Sequence, residues 1–352
     1  MRAVIVKLSF LDNIFNCKNK MEYEISYLPI RPDSLKTNTT VGCDIYILTK
    51  TTTEVRFVLY CNKDAVFDKA KKEMLEVQKI KSIFIKKEEQ PAFFDYLENN
   101  FQHIASDTNI PSEERSKIVH RAATNLVKDL FADPSIGNIE RIKAFAHNMV
   151  DYVINDSEAA ESLLKMAVYR YYSFTHSVNI VTIGTLFGQK LGIGPKDLKG
   201  LCAGILLHDV GKAKINTDIL NKKGKLTAVE FDIVKKHPEL GVEILEETGI
   251  EFKEELIITL QHHENDDGSG YPYGLKKDEI HLCGKIARIL DVYDALTANR
   301  SYRDALTPFA ALAEMKGKML NCFDIDMFKK FICFFGSYDP RAKKRKGDIL
   351  YK

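Results

Sequence analysis

No uninterrupted apolar run in this 352-residue sequence approaches the roughly 18 residues that a membrane-spanning helix needs. The opening stretch MRAVIVKLSFLDNIF places charge at both ends of a short apolar segment and offers no small-residue cleavage site, so it does not read as a signal peptide. Cysteine pairing is also missing. The seven cysteines (Cys17, Cys43, Cys61, Cys202, Cys283, Cys322, Cys333) are scattered, odd in number and nowhere spaced as Cys-x-x-Cys. That pattern argues against a disulfide framework and a zinc ribbon, and it fits a reducing cytoplasm. Charge of one sign is lacking too: a net charge of +2 gives no reason to expect non-specific binding to DNA or to a membrane surface.

What is present is an ordinary globular composition, 45% hydrophobic and 28% charged, in a chain long enough for two domains. Residues 1–107 read as a small α+β domain. CDIYILT, EVRFVLYC and IKSIFIKK cluster β-formers, and helical stretches fall at AVFDKAKKEMLEVQ and PAFFDYLENNF. Residues 108–155 carry two helical patterns, one starting at Pro111-Ser112 and one after Pro134 and Gly137, which read as a linker with a packing or homodimerisation surface. Residues 156–337 read as an all-α bundle. Thr227 and Glu230 form a capping-box pattern, His237-Pro238 closes one helix and opens the next, EELIITLQHHE is a further helix, and Thr307-Pro308 starts another. Residues 338–352 form a basic tail.

The chemistry lies in histidine and aspartate. Of nine histidines, His103, His120, His147 and His281 sit in polar or linker-like contexts and read as surface or satisfied core residues. His176, His208 with Asp209, His237, His262 with His263, and Asp291 instead sit on or at the ends of strongly apolar helices. An ionisable group there needs a partner, because burying it alone costs several kcal/mol. Helix bundles build metal sites by aiming such side chains inward from facing helices. Imidazole and carboxylate donors without thiolate suit iron, manganese, zinc or nickel rather than a structural zinc site. Seven candidate ligands are too many for one tetrahedral ion, so two ions are the economical count. Two ions about 3.5–4 Å apart with a bridging water generate hydroxide near neutral pH and clamp a phosphodiester.

LLHDVGKAKI, the His-Pro with Gly241 in HPELG, HHENDDGSGYPYGL and DVYDALTANRSYRDA, taken together and in that order, resemble the HD-GYP domain. This is a branch of the HD metal-dependent phosphohydrolase superfamily that degrades the bacterial messenger cyclic di-GMP. The resemblance covers roughly Asp156 to Ser337. It implies an HD-type helical bundle acting as a cyclic di-GMP phosphodiesterase, which yields pGpG and in some members GMP. It implies that His176, His208, Asp209 and Asp291 hold one metal, with Asp209 bridging to a second held by His237, His262 and His263. Lys212 would neutralise a phosphate oxygen, and Gly270-Tyr271-Pro272 would shape the loop beside the site. Arg300 and Arg303 would contact substrate phosphate or guanine. Iron is the implied metal, with manganese as the alternative.

Each of these has a plainer rival. Lys212 also reads as a solvated helix-end lysine, Tyr271 as loop packing, and Arg300 and Arg303 as salt-bridge partners of Asp294 or Asp304. Tyr169, Tyr172 and Tyr293 read as packing residues. Two departures stand out. Where some members place a third-metal glutamate one turn before the first histidine, this sequence has Tyr172, which points to two metals. Ser301 stands where proline is common. Two other functions stay open: a metal- and nucleotide-binding signalling module without turnover, and a hydrolase of another cyclic dinucleotide such as cyclic GMP-AMP. The first domain is expected to regulate the second by an unidentified signal.

Overall fold

The computed structural model describes residues 26–50, 55–108, 110–169, 176–222, 224–251, 253–298 and 304–338. Arg300, Ser301, Arg303, Tyr172, Cys17 and the basic tail after Tyr338 lie outside the described residues. Two compact units emerge, Met1–Asn125 and Leu126–Lys352, and the division falls inside a single helix, Ser112–Ala132.

In the first unit, β1 (Tyr27–Ile30), β3 (Ile45–Lys50), β4 (Val55–Cys61) and β6 (Ile83–Lys86) form an antiparallel sheet in the order β1-β6-β3-β4. A separate two-stranded ribbon pairs β2 (Thr39–Thr40) with β5 (Val66–Phe67). The expected strands correspond to β3, β4 and β6. β1 is an additional strand: it is short, contains Pro29 and lacks alternation. Proline can sit there because β1 lies at a sheet edge, where a missing N–H donor costs no ladder bond. Ile45, Ile83 and Ile85 point from one sheet face into a core shared with Leu75, Phe93 and Leu97. These three come from α1 (Lys69–Val77) and α2 (Gln90–Asn99); α3 (Phe101–Ser106) adds Ile104. Asp68 caps α1 by accepting from the Lys71 amide at 2.8 Å. On the sheet, Tyr27 stacks on Phe57 with centroids 3.9 Å apart, and Phe84 meets Phe57 edge-on at 5.0 Å.

The helix carrying the division, α4, is followed by α5 (Ile136–Asn155), α6 (Ser157–Tyr169), α7 (His176–Lys190) and α8 (Pro195–Leu207). Gly137 sits within the first turn of α5 rather than before it. A 3-10 turn over Val210–Lys214 then leads to α9 (Thr217–Leu220), α10 (Ala228–Val234), α11 (His237–Glu247) and α12 (Glu254–Gln261). The last three are α13 (Leu282–Thr297), α14 (Pro308–Lys318) and α15 (Ile325–Tyr338).

Helix α8 is buried on every side from Gly200 through Leu207, as a helical stretch with no polar face must be. It packs against α5, α7 and α12. Each fully buried leucine or isoleucine in it contributes about 1.5–3 kcal/mol. The expected capping box at Thr227 and Glu230 forms, Pro238 occupies the first turn of α11, and Thr307 caps α14. One expected element is shorter than its pattern: α12 stops at Gln261, so the two histidines that follow lie at its end and beyond. Tyr293 is buried against Phe331 and Phe335, the packing role anticipated for it. Among the described residues no disulfide forms, and no helix is long and apolar enough to cross a membrane.

Candidate metal centre

Helix ends converge on one place in the second unit. α8 ends at Leu207, so His208 and Asp209 emerge from a buried helix just as the chain tightens into the 3-10 turn. That turn lies against the start of α11 so closely that a Cβ on Gly211 would sit 2.0 Å from the His237 carbonyl oxygen. Only glycine allows this approach, and it brings His237 to Asp209. His262 caps the end of α12, His176 opens α7, and Asp291 projects from the middle of α13.

The rings are oriented by backbone carbonyls. His208 Nδ1 lies 2.6 Å from the Ile205 carbonyl, His237 Nδ1 2.8 Å from that of Val234, and His262 Nδ1 2.9 Å from that of Thr259. A carbonyl can only accept, so each Nδ1 carries the proton and each Nε2 presents a lone pair. His237 Nε2 and His262 Nε2 are then 3.0 Å apart. Two facing lone pairs at that distance repel unless a proton or a cation lies between them.

Asp209 sits amid these nitrogens. Its Oδ2 is 3.3 Å from His208 Nε2, while its Oδ1 is 3.3 Å from His237 Nε2 and 3.7 Å from His262 Nε2. Ligand-capable atoms of Asp209, His237, His262 and His263 lie within 4.8 Å of one another, and so do those of His176, His208 and Asp209. Asp291 touches both groups: Oδ1 is 3.4 Å from His176 Nε2, and Oδ2 is 3.7 Å from His263 Nδ1. His208 Nε2 and Asp209 Oδ1 are buried without a hydrogen-bond partner. Orphaned buried acceptors are rare because each costs the desolvation of a polar group. A divalent cation would satisfy them, so the residues fit a metal, and the cluster is able to bind one.

Electrostatics follow from this crowding. Burial alone would raise the carboxyl pKa of Asp209, but His208 and Lys212 outweigh it and hold the group well below the usual carboxylate range. Asp291 is likewise held low against burial, by His176 and His263. Burial, then the neighbouring imidazoles, pushes His262 well below its ordinary value. His263 falls to about 3, mainly through burial. His176 goes the other way. Burial opposes its charge, but Asp294 and Asp291 prevail and lift it to about 10.

The loop after α12 closes over one side. Glu264 is buried and accepts from the Tyr273 and Leu275 amides at 2.7 and 2.9 Å, tying the loop back to its root. A Cβ on Gly270 would lie 2.3 Å from the Asn265 amide nitrogen and 2.5 Å from Glu264 Cα, so the GSGYP turn is pressed onto the histidine segment. Tyr271 consequently stacks on His263 with centroids 4.6 Å apart. Burial pushes its phenol pKa up, so it stays a protonated donor. Lys212 Nζ contacts Asp209 Oδ2 at 2.5 Å rather than standing free in solvent.

All seven expected ligands and both Lys212 and Tyr271 therefore come together, while Arg300 and Arg303 lie outside the described residues. Asp294, which the sequence suggests only as a partner for those arginines, has a different role. It is buried and accepts from His176 Nδ1 at 2.6 Å, the arrangement that fixes a ligating imidazole. Its spacing from Asp291, one turn along the same helix, is the signal in the sequence that points to it. Arg288 shares that mark, one turn before Asp291, although its hydrogen-bond partner Asn265 lies 23 residues away; Glu264 has none, since its partners lie 9 and 11 residues on.

The HD domain family model matches residues 154–327, a span that contains every residue of this cluster. That segment is an HD domain. A cyclic di-GMP phosphodiesterase of Pseudomonas aeruginosa is 32% identical over 226 residues, 62% of this chain and 53% of that protein. The response regulator RpfG of Xanthomonas campestris, also a cyclic di-GMP phosphodiesterase, is 38% identical over 143 residues, 40% of this chain and 38% of that protein. A 3'3'-cGAMP-specific phosphodiesterase 2 of Vibrio cholerae is 50% identical over 104 residues, 29% of this chain and 20% of that protein. The chain thus spans about half the length or less of these relatives. An HDG"Y"P protein from Bdellovibrio bacteriovorus shares the fold at TM-score 0.61 and 20% identity, over 88% of this chain and 99% of that one.

Proposed function

We propose that the HD domain of this chain is a two-metal phosphodiesterase that hydrolyses cyclic di-GMP to linear pGpG or GMP. The observation that carries the reading is the placement of Asp209 between two ligand groups, with one carboxylate oxygen facing each. His176 and His208 would hold one ion and His237, His262 and His263 the other. Asp209 is shared, and Asp291 completes the first set. Iron is the preferred metal, with manganese as the alternative, on the resemblance to the HD-GYP domain; imidazole and carboxylate donors without thiolate accept either. When bound, such ions polarise the phosphodiester and make water a nucleophile near neutral pH.

The protein's own groups do the rest. Backbone carbonyls hold His208, His237 and His262 in one tautomer, so their Nε2 lone pairs are aligned before any ligand arrives. Lys212, poised on Asp209, supplies positive charge where the non-bridging phosphate oxygens gain negative charge. Tyr271, stacked on His263 and kept protonated by burial, would offer its hydroxyl to the substrate. Arg300 and Arg303 would serve as further phosphate or guanine contacts. Breaking the P–O3′ bond leaves a 3′-hydroxyl and a 5′-phosphate. The 104-residue similarity to a 3'3'-cGAMP-specific enzyme favours that dinucleotide as the second reading. We place the activity in the cytoplasm, and we assign residues 1–107 a regulatory role ahead of a helical segment at 108–155.

One anaerobic experiment tests this: elemental analysis of purified protein, then chromatography after incubation with cyclic di-GMP and, separately, 3'3'-cGAMP. Two equivalents of iron or manganese with pGpG or GMP formed is the expected result. Preferential loss of 3'3'-cGAMP would select the second reading. Full metal with both dinucleotides intact would overturn both.

A further inference from the structure

A cyclic dinucleotide carries two phosphates, and only one at a time can lie at the metal centre. The other needs a cation of its own close by. We infer that Arg288 is that cation: a specificity-determining contact for the second, non-scissile phosphate of the substrate. The inference rests on the phosphodiesterase reading and deepens it.

Arg288 lies on α13 three residues before Asp291, and therefore on the same face, about 4.5 Å along the axis. Its guanidinium is held in place. Nε donates to Asn265 Oδ1 at 2.9 Å, and Asn265 Nδ2 in turn donates to Ser269 Oγ at 2.9 Å. Ser269 Oγ donates to Asp267 Oδ1 at 2.6 Å. The arginine is thus fastened to the loop that carries Tyr271. NH1 is 3.9 Å from Asp291 Oδ2, beyond hydrogen-bonding distance, and Asp291 directs its oxygens toward His176 and His263.

The side chain is 15% exposed, and none of its nitrogens is among the buried atoms lacking partners. The guanidinium therefore borders solvent at the rim of the centre. An anchored guanidinium presents a planar fork suited to two phosphate oxygens, with little entropy left to lose on binding. Acidic neighbours would normally hold such a group as a structural ion pair. Here the Asp291 carboxylate would be committed to a metal, and Asp267 is already occupied by Ser269.

The test is equilibrium binding of cyclic di-GMP to chelator-treated protein by calorimetry, alongside turnover by the metal-loaded enzyme. Arg288→Met should weaken cyclic di-GMP binding about 10- to 100-fold, the value of a charged hydrogen-bonded contact. Arg288→Lys, which keeps the charge but not the fork, should fall between. In turnover, the ratio of kcat/KM for cyclic di-GMP to that for bis(4-nitrophenyl) phosphate, which has one phosphate, should drop by a similar factor in Arg288→Met. A purely structural role would depress both substrates together, leave the ratio constant and overturn the inference, as would equal affinities in wild type and Arg288→Met. If the wild-type enzyme hydrolyses no cyclic dinucleotide, the phosphodiesterase reading falls and this one with it.

Discussion

Replacing Gly211 with alanine should destabilise the HD domain and empty its metal centre, although the change adds one methyl group. The added Cβ would stand 2.0 Å from the His237 carbonyl oxygen, 2.4 Å from the Gly241 amide nitrogen and 3.0 Å from Gly241 Cα. The first of these is more than an ångström inside ordinary contact. All three obstacles are backbone, so no rotamer change relieves the clash, and the 3-10 turn must separate from α11. Overpacking of this kind costs about 1–3 kcal/mol, which for a unit of roughly 200 residues lowers Tm by about 2–12 °C. The same separation moves His237 away from Asp209, so metal content should fall together with Tm. The assay is thermal unfolding of chelator-treated protein followed by elemental analysis after reloading. Gly137→Ala is the control: nothing lies within 4 Å of its added Cβ. There alanine replaces glycine in the first turn of α5, and stability should rise by up to about 1 kcal/mol. A Gly211→Ala protein with wild-type Tm and full metal would refute the argument.

Removing Lys212 as Lys212→Ala should lower kcat by about 10²- to 10³-fold with a smaller change in KM, measured by steady-state kinetics on cyclic di-GMP; a change confined to KM would reassign the lysine to binding. Asp294→Ala should weaken metal retention by about 10- to 100-fold, read by chelator competition, because His176 loses the acceptor that orients it. Metal-free protein should be most stable near neutral pH. His263, with its pKa depressed to about 3, and His262, also depressed, contribute stability above the ordinary value of 6.5 that is lost as pH falls toward 3. His176, raised to about 10, contributes stability below 6.5 that is lost as pH rises toward 10. Tm measured from pH 4 to 9 should pass through a maximum, and a monotonic curve would contradict these shifts.

Local chemistry was legible in the residues themselves. The capping pair Thr227 and Glu230, the Thr307-Pro308 start and the strands β3, β4 and β6 of the first unit each depend on neighbours a few positions apart, so their patterns could be read directly. The ligand types were also visible, because histidines and aspartates at the ends of apolar helices are costly to bury unless something binds them. β1 was not legible, since four residues with a proline carry no alternation and its pairing with β6 spans more than fifty positions.

The sequence by itself determined which residues have metal-binding chemistry and which helices present them. Only the tertiary structure decided how they associate. His176 meets Asp294 across 118 positions and His237 meets His262 across 25, and no local spacing encodes those distances. Asp291, expected with one group, borders both. Packing of α7, α8, α11, α12 and α13 makes these encounters, and glycine at 211 and 270 lets the backbones approach closely enough for them to occur.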